Sequence, residues 1–174
     1  MAGMNIDIGD IYSGTFLPQG SSVNPFTPQA VVAGTSYSTQ AVLHNQGFTP
    51  GGSQQNVQPG IGEPQSVVLL VETAPGDTSA GASYTVSLLT DTNPNLTTTP
   101  VTLATLVIPN ATVAGTYFLL DLPNTLTFEL YSGLKFVLVN GSGTATIGIV
   151  AWLQPRYSLQ RDVYYQSGWV IENQ

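Results

Sequence analysis

The acid–base chemistry open to this chain rests on ten carboxylates and a single histidine. Glycoside hydrolysis needs two carboxyl groups about 5–10 Å apart across a cleft lined with aromatics. Glu72 and Glu129 fall in strand-like runs and are the candidates. Yet Glu129 sits on a threonine face, where a solvated carboxylate needs no special role, and Glu72 ends its run beside the Pro75-Gly76 turn. His44 with a serine and an aspartate would make a nucleophilic triad. No Gly-x-Ser-x-Gly elbow accompanies it, and a lone histidine at a strand end is ordinarily a polar surface residue. Asp91, Asn93 and Asn95 suggest calcium only loosely, because an Asx-rich turn has the same composition. Gly141-Ser142-Gly143 reads as a hairpin turn rather than a phosphate loop. The three Asn-x-Ser/Thr matches, at Asn95, Asn110 and Asn140, are expected by chance in a chain so rich in threonine. With no cysteine there is no disulfide, thiolate metal site or thiol chemistry. The residues therefore assign no catalytic group, no metal site and no cofactor.

The elements that would position any site are strands. Ser66 to Thr73 is a β-branched and leucine run suited to a strand covered on both faces. Ser83 to Thr90 alternates, with Tyr84, Val86 and Leu88 opposite Ser83, Thr85 and Ser87. Val101 to Ile108, Tyr117 to Leu122, Thr125 to Tyr131, Leu134 to Val139 and Thr144 to Leu153 follow. In the last, Ala145, Ile147, Ile149 and Leu153 oppose Thr144, Thr146 and Trp152. Period two marks a half-buried strand. The breaks carry turn chemistry: Pro75-Gly76-Asp77, Asn93-Pro94-Asn95, Pro109-Asn110, Pro123-Asn124, Ser132-Gly133 and Asn140-Gly141. No window shows helical recurrence. The expected class is all-β, an antiparallel jelly-roll β-sandwich spanning 63–154, flanked by an extended arm (1–62) and a tail (155–174). Within the glycine- and proline-rich arm, Ala30 to Val32 and Tyr37 to Leu43 read as early strands. The arm also holds Ile11, Tyr12, Phe16 and Phe26, so it reads as a segment ordered by packing on something else.

Charge narrows the function. Of 174 residues only three are basic and ten acidic, for a formal charge of −7, and 7% are charged against 42% hydrophobic. Three cations cannot neutralise a phosphate backbone, which argues against nucleic-acid binding. No apolar run approaches the ~20 residues that span a bilayer. The N-terminus lacks the basic and apolar regions of an export signal. Sheet edges are usually defended by charge, lysine above all. This chain makes almost no such defence, so its edges must be covered by its own arm or by neighbours. The tail beyond Pro155 carries Arg156, Tyr157, Arg161, Tyr164, Tyr165 and Trp169 without a strand period. These are the residue types enriched at binding hot spots, and with Phe16 and Phe26 they form the candidate interface. A tail folded back over its own sandwich fits the same residues.

Several stretches, in order, resemble the capsid cement (decoration) proteins of tailed bacteriophages, of the Bordetella-phage type. They are Gly60-Ile-Gly-Glu-Pro64 leading into Ser66 to Thr73, Tyr84-Thr-Val-Ser-Leu-Leu-Thr90, and Pro100-Val-Thr-Leu-Ala-Thr105 with Ile108-Pro109. Gly115-Thr-Tyr-Phe-Leu-Leu-Asp-Leu-Pro123 and the closing run Gly143 to Leu153 complete the likeness, which is weaker over Gln29 to Gly47. Residues 1–28 and 155–174 have no counterpart. The resemblance implies a jelly-roll homotrimer, made in the host cytoplasm and seated on the outer capsid surface at local three-fold positions. There it would clamp major capsid protein subunits without catalysis. The rival is a carbohydrate-binding, lectin-like head or fibre module, with Tyr117, Tyr131 and Trp152 as its aromatic platform. A carboxylate glycosidase stands behind both.

Overall fold

The structure, a computed structural model, describes residues 11–16, 26–44, 47–48, 54–55, 65–122, 127–155 and 169–171. Fifteen strands run in chain order: β1 (Ile11–Ser13), β2 (Thr15–Phe16), β3 (Phe26–Thr27), β4 (Gln29–Val32), β5 (Gly34–Tyr37), β6 (Val42–Leu43), β7 (Gly47–Phe48), β8 (Gln54–Gln55), β9 (Gln65–Thr73), β10 (Ser83–Asp91), β11 (Val101–Ile108), β12 (Thr116–Asp121), β13 (Tyr131–Val139), β14 (Thr146–Pro155) and β15 (Trp169–Ile171). Among the described residues there is no helix, so none is long and apolar enough to cross a membrane.

Two antiparallel sheets, as in a β-sandwich, share one core. The first has the order β12–β9–β14, with β4 and β1 both pairing with the far side of β14. The second has the order β15–β11–β10–β13–β5, with β6 also on β13. Alternation dictates what enters the core. From the first sheet come Val67, Leu69, Val71, Phe118, Leu120, Ile147, Ile149 and Leu153. From the second come Tyr84, Val86, Leu88, Leu106, Leu134, Phe136 and Leu138. The intervening residues of the first sheet, Val68, Leu70, Val150 and Trp152, form a second buried cluster on its other face. β9 is thus covered on both sides, as its unbroken apolar run predicts.

Residues of the expected arm enter both sheets. β4 pairs with β14 and β5 with β13, so the chain changes sheet at Ala33-Gly34. Gly34 has φ +112°, a conformation that residues with a Cβ rarely adopt. Tyr12, Val31 and Val42 belong to the same core as the central strands.

Three local expectations need correction. The run Tyr37 to Leu43 is not one strand: Ser38 accepts from Leu134 N–H through its hydroxyl (3.0 Å) and donates to the Gln40 carbonyl (2.7 Å). A side chain there interrupts the ladder, and pairing resumes only at β6. The run Thr125 to Tyr131 is likewise no strand where described. Over 127–130 the Glu129 amide donates to Thr90 Oγ1 (2.6 Å), and Phe128 turns inward to be buried. Ser132-Gly133, read as a turn, lies inside β13. Ser132 is buried there, and a Cβ on Gly133 would stand 2.2 Å from Leu96 Cδ1, so glycine is what admits the Leu96 side chain.

Candidate interaction surface

The histidine is where the sequence reading departs furthest from the structure. His44 follows β6 directly and is buried, not exposed. Its Nε2 lies 2.5 Å from Ser132 Oγ, whose other partner is the Tyr12 hydroxyl at 2.8 Å. Phe128 packs edge-on against the imidazole, ring centroids 5.0 Å apart. Burial pushes the imidazole pKa down to about 4. A serine within hydrogen-bond reach of a histidine has the geometry of a nucleophile and its base. Here Ser132 and Tyr12 are fully enclosed, and an imidazole titrating near 4 is a weak base at neutral pH. The arrangement ties β1, β6 and β13 together.

The carboxylates are disposed just as unfavourably for chemistry. Glu72 stands at the end of β9 next to the 74–82 loop, whereas Glu129 bonds Thr90 at the far end of β10. A nine-residue strand separates those ends by roughly 25 Å, well beyond a glycosidase pair. Glu129 is half-buried rather than solvated, and its Oε2 is buried without a hydrogen-bond partner. Asp91 accepts amide N–H groups from Asn93 (3.1 Å), Thr98 (3.1 Å) and Thr99 (3.2 Å). Burial raises its pKa, but those amides and the Thr92 hydroxyl outweigh it and hold the carboxyl below the usual range. Donors fill the lone pairs a cation would need, which is the Asx-turn reading. Asp77 does the same at the opposite end. The Ser79 hydroxyl and amide, then the amides of Gly141 (2.8 Å) and Gly143 (2.9 Å), lower its pKa to about 2 against the opposing effect of burial. Tyr84, through its hydroxyl, donates to the Asp77 carbonyl and accepts from the Asp77 amide, both at 2.9 Å. Among the described residues no three His, Asp or Glu side chains gather in a way that could hold a metal.

The aromatic platform is not assembled. Trp152 is buried, and its indole N–H donates to Gln154 Oε1. Tyr117 packs against that cluster on the first sheet, while Tyr131 begins β13 on the second. Of the candidate interface, Phe16 and Phe26 are backbone register partners in the β2–β3 ribbon. Trp169 opens β15 opposite Leu106, so the tail has a strand after all and closes one edge of its own second sheet. Arg156, Tyr157, Arg161, Tyr164 and Tyr165 lie outside the described residues.

What the sequence missed is a face. Register lays Thr35, Val137, Thr85 and Val107 in one row across the outside of the second sheet, and Tyr37, Lys135, Ser87 and Thr105 in the next. All eight are exposed or half-buried, and Val107 is 61% exposed. The face holds one charge, Lys135, and no carboxylate. The alternation of each strand was visible, but which rows lie side by side depends on pairing over long separations. The eight residues make a continuous, nearly uncharged face of hydroxyl, aliphatic and aromatic groups with one ammonium. Compared with protein families and with curated protein sequences, the chain finds no match.

Proposed function

We propose that this protein is a non-enzymatic cement protein of a tailed-phage capsid, a jelly-roll homotrimer on the outer shell that holds adjacent major capsid protein subunits together. The observation that carries the reading is the nesting of strand pairs. Taking the eight strands β4, β5, β9, β10, β11, β12, β13 and β14 in chain order, the first pairs with the last, the second with the seventh, the third with the sixth and the fourth with the fifth. That is one long antiparallel ribbon. β14 also lies beside β9 and β13 beside β10, pairings that support a jelly-roll winding.

The surface supports the same role. With 7% charged residues, a partly exposed and nearly uncharged sheet face, and two carboxylates, Asp77 and Asp91, committed to loop anchoring, the molecule is suited to contact. Three copies acting together would turn weak single docking into firm attachment. The test is sedimentation of the purified protein with emptied phage heads. It should pellet with heads at a saturable stoichiometry in multiples of three and raise their resistance to heat. A protein that stays in the supernatant, or is monomeric at high concentration, removes the reading.

A further inference from the structure

We propose that in the assembled trimer β15 is exchanged, so that Trp169–Ile171 of one copy pairs with β11 of the next. The inference rests on the trimeric reading above and names the contact that builds it.

β11 is the last strand on its side of the second sheet apart from β15, and it is eight residues, Val-Thr-Leu-Ala-Thr-Leu-Val-Ile, with no charge, proline or glycine. Such an edge pairs readily with any available strand. β15 covers Ala104, Thr105 and Leu106. The strands on the opposite margin are tied closely to their neighbours in sequence, β4 to β5 through Ala33 alone. β15 differs: 13 residues separate it from β14. A connection of that length can reach about 45 Å, while a domain of this size is roughly 40 Å across. It can therefore deliver β15 to its own β11 or to that of an adjoining copy. Exchange keeps the same hydrogen bonds, so it costs little, and domain swapping is a low-cost route to oligomers. The donor (169–171) and acceptor (104–106) surfaces are different. Passed onward from copy to copy, such a contact is heterologous and gives a ring where the rotation closes, whereas reciprocal exchange between two copies would give a dimer.

The chain has no cysteine, so a disulfide can be placed cleanly. Thr105 and Val170 are direct partners, at a separation a disulfide can bridge. In the full-length Thr105→Cys, Val170→Cys protein, mild oxidation should give a covalent trimer on a non-reducing denaturing gel. Consumption of both thiols with only single-chain bands, in a sample that is trimeric before denaturation, overturns exchange and leaves the cement reading intact. A sample that is monomeric throughout and ignores phage heads removes that reading itself. If the thiols stay reduced, truncation after Gly168 decides: the native mass should fall from three chains to one, and a truncated chain that remains trimeric overturns the proposal.

Discussion

Ser132 Oγ joins the Tyr12 hydroxyl to His44 Nε2 within the core. Burial, which strips water from the imidazole ring, disfavours its charged form. The unfolded chain takes up a proton near pH 6.5, whereas burial delays that to about 4 in the folded protein. Between those values the unfolded state binds more protons, so stability is full above pH 6.5, declines as pH falls from 6.5 towards 4 and levels off below that. The expected loss is about 3 kcal/mol. Denaturant unfolding at pH 7 and pH 4.5 should show most of it, and His44→Gln should flatten the dependence. Asp77, with its pKa lowered to about 2, loses its contribution only below the ordinary carboxylate range, so the two effects separate on the pH axis. The sequence placed His44 at a strand end correctly. Its burial was decided by a serine 88 positions away, which no local pattern records.

Strand positions were the most legible feature. Apolar runs (β9, β11) and period-two alternation together located β9, β10, β11, β12, β13 and β14 to within a few residues, because they record which faces of each strand are dry. Alternation failed over 127–130, where Leu126, Phe128 and Leu130 imitate that period. Phe128 is buried under the imidazole and not in a sheet face, with the backbone held by Thr90 Oγ1. It also failed at Gly133, whose place in β13 depends on Leu96. Leu96 projects from the 92–100 loop with φ +56° and is buried against that glycine. Gly133→Ala should therefore cost about 1–3 kcal/mol by overpacking. The penalty should shrink in a Leu96→Ala background, since the two side chains compete for one space. A double-mutant cycle of urea midpoints measures this; simple additivity would count against the contact.

At the scale of the whole molecule, the scarcity of charge is the governing fact. Each chain carries a formal −7 from only 13 ionised side chains, and two of the carboxylates, Asp77 and Asp91, are spent on pinning loops at opposite ends. Among the described residues, the outer face of the second sheet and the β11 margin are built mainly of hydroxyl and aliphatic groups, with Lys135 as the charge on that face. On the proposed cement reading, attachment through such surfaces should respond weakly to salt. Raising ionic strength from about 0.1 M to about 1 M shortens the screening length from about 10 Å to about 3 Å and should release little protein from phage heads. Steep release would show that ion pairs, with Lys135 and the two arginines as the available cations, carry the attachment instead.

The amino-acid sequence by itself determined the all-β class, the central strands, the two-sided burial of β9 and the want of charge, since alternation and composition are properties of short stretches. Tertiary structure alone decided that the strands nest as a wound ribbon, that Trp152 is enclosed, that His44 meets Ser132 and that β15 closes an edge. Those outcomes depend on which distant strands lie side by side, and pairing register is a long-range choice that no single segment contains.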